Sequence, residues 1–387
     1  MCRSIGVILA ALISVTRVPA QFPVRQREIP KVIQAFNEPA QGNSLKCSVE
    51  TVKPFLDFGF RFQVAYIARC ALVQFGGNET QVVTYIRVRR ASGAPTILGD
   101  VYRIPAIPKE MQSDVNFRRL NAEIEFSGAF AVGEGEYPVE LLILDNQQRV
   151  FRKSWKAKAV TRKDEHRAAL ALKPDTVGAV VLPSWNSAER GDTKRLRLTI
   201  LLDAAPINPT SSKLRAWDRA FLLDSLASLL RQFPSKSVRL IAFNLDQQKE
   251  IYRREDFDRR GFRELARALQ ELELGSISYT TLQRQQGWSS LLAKLTNEEL
   301  TAAQASDLVI FLGPNTRISG KIPREMLSGN DDFGRHLYYL EYYWHWGNEF
   351  PDAIQRLTTS YNGTVLKIHS PGEFADAIQK LRRKELE

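Results

Sequence analysis

The stretch Leu196-Arg197-Leu198-Thr199-Ile200-Leu201-Leu202-Asp203-Ala204-Ala205-Pro206-Ile207-Asn208-Pro209-Thr210-Ser211 decides how this chain is read. An apolar run rich in β-formers ends on a carboxylate, and a polar loop follows. From about Leu214 to Phe233, Trp217, Phe221, Leu222, Leu226, Leu229 and Leu230 recur along one face, which predicts a helix stopped by Pro234. Strand, loop and amphipathic helix in that order mark a mostly parallel sheet.

Working outward, the same grammar continues to the end of the sequence. Val238 to Asn244 is predicted as a strand, and Lys249 to Arg253 returns after four residues, too few for a parallel crossover, so this pair is antiparallel and at an edge. Phe262, Leu265, Leu269 and Leu272 predict a second helix closed by Gly275, and Trp288, Leu291, Leu292 and Leu295 a third. Thr296 with Glu299 reads as a capping box ahead of a further short helix. Strands follow at Leu308 to Leu312 and at His336 to Tyr343, the latter with tyrosines on both faces. The end is a helix around Pro351 to Leu357, a turn at Asn362-Gly363, a strand from Thr364 to His369 and a closing helix from Pro371 to Arg383. Residues 194–387 are thus expected to form an open, doubly wound α/β sheet of about six strands.

Upstream, residues 45–160 are short β-rich runs: Phe60 to Leu72, Gln81 to Arg89, Leu120 to Phe126 and Tyr137 to Leu144. Val82, Thr84, Ile86 and Val88 alternate with Val83, Tyr85, Arg87 and Arg89, so such strands bury one face, and an antiparallel β-sandwich is the natural packing. Gly133 to Asp145 resembles the late strands of Ig-like and fibronectin-like domains, in which a glycine turn and a tyrosine precede an alternating strand. A basic stretch, Arg149, Arg152, Lys153, Lys156, Lys158, Arg162 and Lys163, reads as a solvated edge strand in preference to a polyanion or membrane-surface patch, and leads to a connector over residues 161–193.

The 387 residues are 44% hydrophobic, 25% charged and 10% aromatic, an ordinary globular mix that exceeds one average core. With 22 glycines and 18 prolines, collagenous and low-complexity classes are excluded. The net charge of +11 is not gathered into an aromatic-laced patch, which argues against nucleic acid as a partner. Met1 to Ala20 carries Arg3, an apolar run from Ile5 to Val15 and the small-residue site Val18-Pro19-Ala20, so a cleaved export signal over residues 1–20 is expected, placing the protein in a secreted or periplasmic setting. That run is about half of what a membrane span needs, and no transmembrane anchor is expected. The mature chain would keep Cys47 and Cys70, either bridged or as two buried thiols.

The order of elements, the small antiparallel strand after the second main one, and the closing segment Ala353-Ile354-Gln355-Arg356-Leu357-Thr358-Thr359-Ser360-Tyr361-Asn362-Gly363-Thr364-Val365 together resemble a von Willebrand factor type A (vWA) domain over residues 194–387. Secreted bacterial vWA-related proteins also carry β-rich amino-terminal regions. The resemblance implies a divalent-cation site built from a DxSxS loop, a threonine and a second aspartate. Here Asp203 matches, Ala205 and Ile207 stand where serines would be, Thr280 or Thr281 could supply the threonine, and Gly313 or Pro314 replaces the second aspartate. Hard cations need several oxygens, so a metal-free site without cofactor is expected.

Ligands of open α/β sheets gather where strand order reverses, outside the carboxyl ends of the strands. The candidate binding residues are therefore Asp203, Asn208, Thr210, Thr280, Asn315, Trp344, His345 and Trp346. No HExxH, GxSxG, Walker or GxGxxG motif occurs, which removes the usual carriers of hydrolase, NTPase and dinucleotide chemistry. The reading is an exported, non-enzymatic protein-binding or adhesion-type module with a protein or cell-envelope partner. The competing reading is a secreted hydrolase or polysaccharide-active enzyme with its site near Asp203 and His345.

Overall fold

The computed structural model describes residues 22–38, 44–106, 122–162, 165, 170–180, 196–208, 211, 214–233, 235–272, 287–301, 306–328, 336–343 and 350–386. The export signal expected over residues 1–20, and the candidate residues Thr210, Thr280, Trp344, His345 and Trp346, lie outside these.

The amino-terminal half contributes β1 (Phe22–Pro23), α1 (Ile29–Asn37), β2 (Cys47–Leu56), β3 (Phe62–Ala71), β4 (Thr80–Val88), β5 (Thr96–Ile104), β6 (Glu123–Val132), β7 (Gly135–Asp145), β8 (Val150–Ala159) and β9 (Val177–Ala179). They pair as two antiparallel sheets, β1-β5-β4-β7-β8 and β2-β3-β6-β9. Val82, Ile86, Leu141 and Ile143 of the first share a core with Val64, Tyr66, Phe126 and Phe130 of the second. The alternation read at Val82, Ile86 and Val88 is the buried set of β4. Tyr102 crosses between sheets: its ring meets Phe126 edge-on at 5.0 Å and its hydroxyl donates to the Ser127 carbonyl at 2.9 Å. The glycine turn before β7 is braced by Tyr137, whose hydroxyl donates to the Gly133 carbonyl at 3.1 Å. Cys47 and Cys70, partners in the β2–β3 register, are joined by a disulfide.

Three additions, β1, α1 and β9, fall outside the expected span of residues 45–160. The amphipathic α1 lays Val32 and Phe36 over Ile97 and Leu142 on the outer face of the five-stranded sheet. Strand β9, inside the stretch read as a connector, pairs with β6. Two- and three-residue strands carry no periodicity from which to infer them.

The carboxy-terminal half contributes β10 (Leu196–Asp203), α2 (Ala216–Gln232), β11 (Ser235–Asn244), β12 (Lys249–Arg254), α3 (Arg259–Glu271), α4 (Gly287–Thr301), β13 (Leu308–Pro314), β14 (Leu337–Tyr342), α5 (Ala353–Ser360), β15 (Thr364–Ile368) and α6 (Pro371–Leu386). Its sheet runs β12-β11-β10-β13-β14-β15, parallel except for β12. Numbered within the sheet, the order is 3-2-1-4-5-6. Both faces are covered. Leu198, Ile200, Leu240, Ile310 and Tyr338 pack with α2, α3 and α6, whereas Leu201, Ile241, Phe311 and Tyr339 pack with α4 and α5.

The capping box expected at Thr296 and Glu299 is not formed, because both residues sit within α4. The Thr296 hydroxyl donates back to the Leu292 carbonyl at 2.8 Å. Glu299, 2% exposed, accepts from the Thr199 hydroxyl at 2.9 Å and from Arg239 at 2.8 Å, tying α4 to two strands. A buried acid with tertiary partners mimics the sequence pattern of a local cap.

The halves share one core. Phe55 and Phe58, at the β2–β3 connection, join the cluster that covers α2 and α6. The Phe58 ring lies 5.0 Å from Phe221, 5.0 Å from Tyr342 and 4.5 Å from Phe374. Its carbonyl accepts from the Ser228 hydroxyl at 2.7 Å, and beside it Arg61 donates to Asp224 at 2.6 Å. Strand β3 is consequently buried on both faces, with Val64 and Tyr66 toward the sandwich and Ala65 and Ile67 toward α2.

Candidate functional site

Strand order reverses between β10 and β13, so the crevice lies where Asp203 and Pro314 end their strands. Asp203 is wholly buried and neither carboxyl oxygen has a hydrogen-bond partner. Burial first, then the negative fields of Asp352 and Asp246, push its carboxyl well above the usual range. The neighbouring strand presses close, for a Cβ on Gly313 would stand 2.7 Å from the Asp203 Cβ. The β10–α2 loop is braced by other residues. Asn244 donates to the Ala204 carbonyl at 2.8 Å, and Asp218 accepts from the backbone of Ile207 at 3.1 Å and Arg215 at 2.8 Å.

Around Asp203 the acids divide by partner. Asp352 caps α5 by accepting from the Gln355 backbone at 2.8 Å, while its other oxygen takes the Thr316 backbone at 3.0 Å and the Tyr339 hydroxyl at 3.1 Å. Glu341 accepts from the Asn315 amide at 2.6 Å through one oxygen, and its second oxygen has no partner. Burial raises the Glu341 carboxyl to about 7, Asn315 opposing and Asp352 reinforcing. Asp246 is also raised, by burial, with Arg317 opposing. Asn315 further donates to the Phe350 carbonyl at 2.9 Å, and the Phe350 ring beyond it is 62% exposed.

Of the candidate residues within the described set, Asp203 lies at the crevice floor and Asn315 at its rim. Asn208 is in the first loop, where its carbonyl accepts from the Ser211 backbone at 2.9 Å. Sequence reasoning missed Asp218, Asp246, Glu341 and Asp352. Asp352 had one legible signal, an acid directly ahead of a short amphipathic helix, whereas Glu341 lies inside an apolar strand whose meaning depends on its neighbours.

The cation set implied by the vWA resemblance does not fit the donors present. Ala205 and Ile207 are buried apolar side chains, Asp352 is committed to its cap, and Asp203 is held toward its neutral form. Among the described residues, no three of His, Cys, Asp and Glu converge as a metal would require.

No family model matches the chain, and no curated protein matches it. Among solved structures, the ApaA protein from Bordetella pertussis is 11% identical with a TM-score of 0.20, aligned over 31% of this chain and 98% of its own. A β-glucuronidase from Bacteroides uniformis is 10% identical with a TM-score of 0.20, over 78% of this chain and 36% of its own. A β-glucosidase from Listeria innocua is 9% identical with a TM-score of 0.17, over 30% and 16% respectively. Likeness at this level bears on neither fold nor activity.

Proposed function

We propose that the chain is an exported, non-enzymatic binding protein whose carboxy-terminal half is a metal-free vWA-like domain engaging a protein or envelope partner through its strand-end loops. The 3-2-1-4-5-6 order with a single antiparallel edge strand supports the vWA-like reading, and the Cys47–Cys70 disulfide supports an oxidising compartment. The observation that carries the functional reading is how the crevice divides its groups. Asp352 holds Tyr339 and Thr316, and Asn315 holds one oxygen of Glu341, while Phe350 turns outward at the rim. Polar groups that satisfy each other stiffen a platform, and an exposed aromatic beside them offers contact area at small entropic cost.

Capture from envelope extract with the immobilised full chain tests the reading. A defined partner retained by the parent and lost with Phe350→Ala, at unchanged melting temperature, supports it.

A second reading, a hydrolase or polysaccharide-active enzyme near Asp203 and His345, draws on Glu341, a carboxyl near 7 with one open oxygen and suited to proton transfer. Turnover of ester, glycoside or peptide substrates that is lost with Glu341→Gln would replace the first reading by this one.

A further inference from the structure

On the sandwich, away from the crevice and independent of the reading above, the edge strands of the two sheets flank an open groove. Strand β2 borders the four-stranded sheet and β8 the five-stranded one. The β2–β3 ladder passes from Val52↔Ala65 to Phe55↔Gln63, so Lys53 and Pro54 bulge out of register, and proline offers no amide to a neighbour. The groove has a volume of about 540 Å³. Its lining includes Lys53, Lys156, Lys158 and Arg162 around the half-buried Trp155, and no carboxylate. Two acids stand just outside. Glu136 pairs with Lys156 at 3.0 Å, and Glu134 accepts from the Thr161 backbone at 3.0 Å.

Strand β8 pairs with β7 on one side. On its outer side Ser44 bridges Val150 in parallel and the Leu45 amide donates to the Val150 carbonyl at 3.0 Å, after which the chain departs for β2. The fold thus already starts a strand on this edge and abandons it. Among the described residues nothing pairs with the edge beyond that point. Along it Lys156 and Lys158 are exposed while Ala157 and Ala159 are buried. Val160, at the end of the groove, is 50% exposed.

We propose that the outer edge of β8, from Lys153 to Ala159, accepts an extended acidic polypeptide segment as an added strand seated over this groove. Main-chain hydrogen bonds supply affinity in such an addition, and alternate side chains supply selection. An incoming strand with carboxylates at every second position sets them opposite Lys156 and Lys158, while its apolar alternates lie beside Trp155 and Ala157. A second copy of β8 is disfavoured, because it would set lysine against lysine.

The test uses the full chain and a capped, fluorescein-labelled eight-residue peptide of alternating Glu and Val, with binding read by anisotropy and amide exchange read across β8. The expected result is saturable binding with new protection of the outward-pointing amides within residues 153–159, which alternate with those already bonded to β7. The double variant Lys53→Glu/Lys158→Glu should weaken binding by about tenfold or more at unchanged melting temperature. A peptide of the same composition with the four Glu and four Val in separate blocks should bind less tightly. The proposal is overturned if the alternating peptide fails to bind, if it binds without protecting those amides, or if charge reversal leaves affinity unchanged. It is equally overturned if a sulfated oligosaccharide or single-stranded DNA binds as tightly as the peptide, which would make the groove a general polyanion surface.

Discussion

At the scale of the residue, this protein keeps carboxyl groups where water does not reach. Burial raises the Glu341 carboxyl from the ordinary carboxylate range to about 7. Below about pH 4.5 both folded and unfolded chains hold this proton, so the group's contribution is fully present and does not vary with pH. Between about 4.5 and 7 the unfolded chain gives it up first, so this group's contribution to folding stability falls as pH rises, and above about 7 the loss is complete. Glu341→Gln is therefore expected to flatten the stability profile between those values and to stabilise the protein at pH 8 relative to the parent. Chemical denaturation at a series of pH values checks this, and an unchanged slope would contradict it. Asp203 acts in the same direction, since burial and the fields of Asp352 and Asp246 also raise it.

At the scale of the element, what could be read in advance was what is periodic or local. The alternation of β4 and the quick return of β12 were legible, because each records its own burial or loop length, whereas α2, read as apolar along one face, is buried nearly all round, with Asp224 and Ser228 held by the sandwich. The spacing of Thr296 and Glu299 shows where reading failed, since a separation of three suits an amino-terminal cap and equally suits one helix face turned toward a sheet. The two meanings differ in energy. Thr296→Ala inside α4 is expected to cost less than about 1 kcal/mol, because a back-bonding hydroxyl adds little to a helix. Glu299→Ala removes the buried acceptor shared by Arg239 and Thr199, which keep Glu255 and Ser306, and is expected to cost about 2 kcal/mol. Urea unfolding of the two variants measures the difference, and equal losses would restore the cap. The candidate site was less legible still. Asp203 was found from its place at a strand end, but Glu341 and Asp352 acquire their roles through Asn315, Thr316 and Tyr339, contacts that only the folded sheet creates.

At the scale of the whole molecule, a change of grammar along the chain suggested two bodies joined by a connector, yet the structure joins them through the β2–β3 connection. Phe58 meets Phe221, Tyr342 and Phe374 at once. Phe58→Ala is expected to remove about 3 to 5 kcal/mol. Calorimetry should show whether the single variant splits one unfolding transition into two, as weakened coupling between the halves requires. The sequence could not disclose this, because Phe55 and Phe58 precede the run read from Phe60 and carry no pattern that points to the helices they meet.

The Phe58 socket has a consequence for how the protein holds together when its backbone does not. A polypeptide severed between the sandwich and the parallel sheet would stay a bimolecular complex, gripped by an aromatic peg and by the Arg61–Asp224 ion pair. Co-expressed as separate pieces, the two should find each other and reconstitute, whereas either piece alone would expose a greasy scar and precipitate.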